Sequence, residues 1–193
     1  MSNDKDNDLE VNEAQPDYNR LYTIEEYYKI REDIRAELYE GYLVVMESPT
    51  LRHQGMITEF IAQLYTFLKG KKCKIYTSPG VHLFSKEATI FEPDIVVVCE
   101  KSKLGKRNVE GTPDFVVEIL SPSTTRMDRK LKFDKYQKAG VKEYWIIDPD
   151  RCLLEANLLI NNKYVTTVYN ETENTPITTL NNFEINLTEV FAM

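Results

Sequence analysis

Three acids stand where acids are costly. Glu37, Asp94 and Glu118 each lie beside or inside an apolar run: Ala36–Met46, Pro93–Cys99 and Phe115–Leu120. Side chains alternate between the faces of a strand. Val116, Glu118 and Leu120 therefore share one face, and Phe115, Val117 and Ile119 share the other. Both faces are apolar, so a carboxylate at position 118 requires a metal, a cation or several hydrogen-bond donors. Carboxylates converging from neighbouring strands build an oxygen-rich site suited to a hard cation such as Mg²⁺. Such an ion activates water and offsets charge developing on a phosphoryl group. For one of these acids alone an ion pair or a capped turn would serve as well, and Asp94 after Pro93 has the form of a turn cap. Three at corresponding places favour a shared site.

Lys132 and Tyr136 are four residues apart, hence on one helix face, and Arg129 joins them from one turn earlier. That face is placed to present a cation and a hydroxyl to the end of the Glu118 strand. A solvated basic face is the competing reading. His53 falls in the first turn of a helix, where an imidazole can meet a phosphate or carry a proton; an unpartnered surface histidine is the alternative. Two histidines, scattered thiols and no close ligand pair argue against a zinc site. Neither GxxxxGK nor GxGxxG occurs, so nucleotide-driven chemistry is not expected. Ser121 belongs to no nucleophile motif.

The elements that must position these residues follow from periodicity and punctuation. Leu21–Ile30 reads as a short helix with Thr23 as N-cap and Glu26 three residues on. Glu40-Gly41 divides Ala36–Met46 into a tight hairpin, with Glu37 on its first arm. Ser48-Pro49-Thr50 opens a long amphipathic helix through Leu68, ended by Gly70. Lys74–Ser78 and Val81–Phe84 read as strands broken at Pro79-Gly80, and Pro93–Cys99 as an apolar strand entered through Asp94. Phe115–Leu120, a turn at Ser121-Pro122-Ser123, a basic helix Arg126–Ala139 stopped by Gly140, and the strand Tyr144–Ile147 come next, Trp145 filling the core. Leu153–Ile160 and Lys163–Tyr169 form a hairpin around Asn161-Asn162. Phe183–Phe191 is a short strand and a helical turn. The expected fold is a mixed β-sheet flanked by helices, α/β or α+β, with N-terminal and C-terminal hairpins.

The chain has 193 residues, enough for one domain over 20–193 with a real core. Residues 1–19 lack periodicity and read as a disordered acidic leader. The net charge of −7 argues against a globally basic nucleic-acid binder. Residues 1–20, however, hold six acids against two bases, and Arg126–Lys138 holds six bases against two acids. A local positive face suffices for a phosphate substrate. No run reaches the ~18 apolar residues of a membrane helix, and the polar N-terminus is no signal peptide. Cys73, Cys99 and Cys152 form no CxxC and read as reduced thiols of a cytoplasmic protein.

In combination the residues resemble the Uma-two family, endonuclease-like proteins with the restriction-endonuclease-like PD-(D/E)XK fold. The resemblance rests on Glu37-Leu38-Tyr39-Glu40-Gly41, His53-Gln54, Pro93-Asp94 and Pro113-Asp114, then Glu118-Ile119-Leu120-Ser121-Pro122-Ser123-Thr124. It continues through Asp128-Arg129, Lys132, Tyr136, Gly140-Val141 and Glu143-Tyr144-Trp145 to Asp148-Pro149. It spans roughly residues 20–170, and the stretch from Glu118 to Pro149 is specific. The resemblance implies a Mg²⁺-dependent (or Mn²⁺-dependent) endonuclease acting on DNA. Asp94 and Glu118 would bind the metal, with Glu37 as a further ligand. The sequence departs from the usual E-x-K, because Leu120 stands where the lysine belongs; Lys132, from the following helix, matches the family's substitute. Ala36 is a second departure, where an aromatic residue usually precedes the Glu. His53 and Tyr136 would position phosphate, and Arg126–Lys138 with Lys101–Arg107 would track the backbone. A nuclease-like module that binds nucleic acid or a protein without cutting stays open as the alternative, and a homodimer is expected by analogy with enzymes that cut both strands.

Overall fold

The structure is a computed structural model that describes residue 17, residues 19–122 and residues 124–193. The expected leader, residues 1–19, falls almost wholly outside the described residues. The core element is a six-stranded mixed sheet in the order β10-β9-β8-β7-β5-β3. Its strands are β3 (Lys74–Thr77), β5 (Ile95–Val98), β7 (Phe115–Ile119), β8 (Glu143–Asp148), β9 (Leu153–Ile160) and β10 (Lys163–Asn170). Within this sheet only β7 and β8, among the described residues, run parallel, joined by a helical crossover. A parallel pair needs such a crossover because its second strand must start at the far end of the sheet.

Three hairpins or strand pairs decorate the sheet. β1 (Ala36–Tyr39) and β2 (Tyr42–Val45) turn at Glu40-Gly41, both with positive φ, as a two-residue turn requires. β4 (Gly80–His82) pairs in parallel with β6 (Asn108–Glu110). β11 (Asn174–Ile177) pairs with β12 (Phe183–Asn186). The hairpin around Asn161-Asn162 forms as expected, but it extends the main sheet rather than standing apart. β6 and β11 have no counterpart in the sequence reading. They are short and lack an alternating apolar pattern, so only their pairing reveals them, β6 with the distant β4 and β11 with the neighbouring β12.

Helices cover both faces. α1 (Ile24–Ile30) begins with a capping box between Thr23 and Glu26. α2 (Leu51–Leu68) is capped by Thr50 and buries Met56, Ile57, Phe60, Leu64 and Leu68. With α4 (Leu187–Phe191) it covers the face bearing Phe115, Val117, Ile119, Trp145 and Ile147. The opposite face carries Val116, Leu120, Tyr144 and Ile146 and packs against Tyr136. Tyr136 belongs to α3 (Phe133–Ala139), which ends at Gly140 with φ of 84°. The basic segment is not one α-helix: Met127–Lys132 winds as a π-helical turn before α3. The expectation of three reduced thiols is also corrected. Cys73 and Cys99 form a disulfide and Cys152 is free. Cys73 precedes β3 and Cys99 follows β5, one step beyond the Lys74–Val98 pair, so strand register brings them together across 26 residues. Among the described residues no helix is long and apolar enough to cross a membrane.

Candidate active site

Register places the two principal acids. β5 and β7 are antiparallel, with Ile95 opposite Val117. One further step sets Asp94 opposite Glu118, on one face of the sheet. Asp94 Oδ2 accepts a hydrogen bond from the Ile119 amide at 2.8 Å, which ties the two strand ends together. Both acids line a cavity of about 420 Å³ at this end of β7. They are deep in its wall: Asp94 is 5% exposed and Glu118 4%.

Lys132 reaches Glu118 from the π-helical turn. Its Nζ lies 2.8 Å from Glu118 Oε1, 2.8 Å from Glu37 Oε1 and 3.1 Å from Asp128 Oδ1. The lysine is 1% exposed and still contributes to the cavity wall. Asp128 enters by helical geometry, four residues before Lys132 and on the same face. Its carbonyl is fixed by the Tyr144 hydroxyl at 3.1 Å. The sequence reading did not single Asp128 out as a site residue, although the i,i+4 spacing to Lys132 was a usable signal. Glu37 is 2% exposed, does not line the cavity, and also accepts the Glu92 amide at 2.6 Å. It stands behind Lys132 and holds it.

Three carboxyl groups face one ammonium here. Burial works against the Lys132 charge, but Glu118, Glu37 and Asp128 outweigh it, so the ammonium stays protonated well above its usual range. Burial also pushes Glu118 well above the ordinary carboxylate range. Lys132 pulls it down, while Asp128, Asp94 and Glu37 push it further up. Glu37 is raised as well, by burial first, against the pull of Lys132. The cluster is thus short of positive charge.

His53 approaches from the other face of the sheet, in the first turn of α2. Its Nε2 lies 3.0 Å from the Ile119 carbonyl and 3.3 Å from Asp94 Oδ2. Burial lowers its proton affinity, and Asp94 with the Ile119 carbonyl more than restores it, so its pKa sits above the usual value. Tyr136 is fully buried, with its hydroxyl 3.5 Å from Glu118 Oε1. It does not line the cavity, so it meets the carboxylate rather than an incoming phosphate.

Of the rest of the expected basic face, Arg126 and Lys130 are exposed and do not line the cavity, and the others turn to carboxylates of the chain. Arg129 does not join Lys132; it pairs with Asp148 at 2.8 Å and with Glu155. Lys135 pairs with Glu87 and Glu40, and Lys138 approaches Glu87. None of Lys101–Arg107 lines the cavity, because that loop leaves β5 at the end opposite Asp94. Two other cations do line it, Arg35 and Arg52, which spacing alone gave no reason to choose.

Among the described residues no group of three or more His, Cys, Asp or Glu is arranged to hold a metal ion. Mg²⁺, however, usually takes one or two carboxylates and completes its shell with waters and substrate phosphates. Asp94 and Glu118 are two carboxylates at the cavity that could hold such an ion.

The profile of a family described as "Uma2: Putative restriction endonuclease" matches residues 17–188. Among solved structures the chain is similar to a "putative nuclease belonging to DUF820" from Anabaena variabilis ATCC 29413. The two share 19% identity with a TM-score of 0.72, over 88% of this chain and 97% of that one. At this identity the likeness shows the fold. No protein of curated function matches the chain.

Proposed function

The chain belongs to the Uma2 family, and from that premise we propose that it is a divalent-metal-dependent endonuclease hydrolysing phosphodiester bonds in DNA. One observation carries the reading. Asp94 and Glu118, opposite each other on adjacent strands, share one cavity with a lysine delivered by the next helix. On this reading Lys132 stands in for the E-x-K lysine whose sequence position Leu120 occupies.

Asp94 and Glu118 would hold the metal, which when bound acidifies water and neutralises developing phosphoryl charge. The remaining roles belong to the chain itself. Lys132, kept protonated by three carboxyls, presents a fixed positive charge to the cavity and so favours the extra negative charge of a pentavalent phosphorane-like transition state. Glu37 and Asp128 position that ammonium. His53 holds the Ile119 carbonyl and Asp94 in place and carries a proton at Nε2.

The test is cleavage of supercoiled and single-stranded DNA with Mg²⁺, with Mn²⁺ and with EDTA, beside Asp94→Ala, Glu118→Ala and Lys132→Ala. Expected is metal-dependent cleavage that each substitution reduces by about 10² or more, the scale of losing one preorganised charge at the reacting group. Metal or DNA binding without any turnover by the unmodified protein would replace this reading with that of a non-catalytic module.

A further inference from the structure

We infer that the cavity accepts an unpaired polynucleotide strand rather than a duplex. This rests on the nuclease reading and names its substrate class.

The first argument is depth. Asp94, Glu118 and Lys132 are 5%, 4% and 1% exposed, so the reacting phosphodiester must come into the cavity to meet them. A duplex is stiff, with a persistence length of about 150 base pairs. Pulling one of its nucleotides out of the stack costs a few kcal/mol in unstacking and unpairing. An unpaired strand has no such cost and can bend into a hollow of about 420 Å³. Met46, Pro49, Leu120 and Pro122 give the hollow apolar walls, suited to the flat faces of bases.

The second argument is electrostatic. A protein that lies along a duplex neutralises many phosphates with a row of cations. Here Arg129, Lys132 and Lys135 answer carboxylates of the chain itself and Lys138 leans toward Glu87, while the exposed Arg126 and Lys130 do not line the cavity, so no such row borders it. At the cavity two cations remain. Arg35 is half-buried and Arg52 exposed, and among the described residues neither is within ion-pair distance of a carboxylate. Two guanidinium groups beside the acids suit the phosphates flanking a scissile bond on one strand. Each presents a planar fork that matches phosphate oxygens.

The test is fluorescence anisotropy of the full chain with a fluorescein-labelled single DNA strand, its blunt duplex and the RNA strand of the same sequence. Ca²⁺ replaces Mg²⁺ so that binding is read without cleavage, and salt is varied. The single strand is expected to bind at least about tenfold tighter than the duplex, a difference of about 1.4 kcal/mol. Its log–log salt slope should be near −1.4, from two phosphates at about −0.7 each. Arg35→Met and Arg52→Met should each weaken single-strand binding and flatten that slope by about 0.7. Urea midpoints equal to that of the unmodified protein would show both variants folded. Tighter binding of the RNA than of the DNA strand supports the unpaired-strand inference and moves the sugar preference. A duplex that binds as tightly as the single strand overturns the inference, and metal-dependent cleavage of either form in the Mg²⁺ or Mn²⁺ assay above leaves the nuclease reading intact. If no nucleic acid binds and none is cut with any metal, both fall together.

Discussion

At the level of single residues, Lys132 bears the most weight and was the least secure in the sequence. Helix spacing showed only that it shared a face with Tyr136. It did not show that three carboxyls converge on it, because Glu37 and Glu118 come from strands that meet only in the fold. Glu118 itself was legible, since a carboxylate in the middle of FVVEI demands a partner. Arg129 was misplaced for a definite reason. Its turn is π-helical, which shifts the face it presents toward Asp148 and Glu155. The arrangement predicts a large stability effect at one position. Removing one partner from a buried ion cluster usually costs about 3–5 kcal/mol, because the other charges stay buried without compensation. Lys132→Met should therefore unfold at markedly lower urea than the parent. The vacated carboxyls, already raised by burial, relieve themselves by taking protons. A carboxyl whose folded pKa lies above its unfolded value loses stability as pH rises past the unfolded value. The deficit of the variant should therefore widen from mildly acidic to alkaline pH. A deficit below about 1 kcal/mol at every pH would mean that the lysine is not held as described.

At the level of elements, punctuation was read well and irregularity poorly. The Thr23–Glu26 capping box, the Glu40-Gly41 turn, the Thr50 cap and the Gly140 stop each follow from local chemistry, and each is present. The π-helical turn, the β4–β6 pair and the Cys73–Cys99 disulfide depend on contacts that no window of sequence contains. The capping box yields a pH prediction. Glu26 accepts from the Thr23 amide at 2.8 Å and from Arg20, and these hold its pKa at about 2. A carboxyl with a depressed folded pKa contributes stability above its unfolded value of about 4.3, and loses it as pH falls toward the folded value. Denaturation of the parent and of Glu26→Gln should thus differ at neutral pH and converge as pH is lowered from about 4.3 to about 2. A gap that persists unchanged to the acid end would assign the helix start to something other than this carboxylate.

For the molecule as a whole, the site exists only because the sheet does. Asp94 and the Glu118–Ile119 pair are 25 residues apart at their hydrogen-bonded atoms and meet through the β5–β7 pairing. α2 then closes one side with His53, and the crossover from β7 to β8 closes the other with Lys132. The fold class and the two acids that meet at the ends of β5 and β7 were legible, because alternation and a misplaced charge are local signals. Such signals could not give the cavity, whose walls come from the β1–β2 hairpin, the start of α2, and the ends of β7 and β8. A ligand of such an assembled site binds the folded chain and not the unfolded one, and so stabilises the fold by mass action. A divalent cation held by Asp94 and Glu118 at a hundred times its dissociation constant should add about 2.7 kcal/mol. For a chain of this size that is roughly 5–10 °C in melting temperature. Titration of Mg²⁺ or Mn²⁺ in a thermal melt should show that rise, EDTA should reverse it, and Asp94→Asn or Glu118→Gln should abolish it. This readout needs no substrate and no turnover. A rise of equal size in both variants would place the cation elsewhere on an acidic surface. No rise in the parent at millimolar metal would mean that the carboxyl cluster is satisfied by Lys132 alone, leaving Asp94 and Glu118 as structural anchors of the two strand ends.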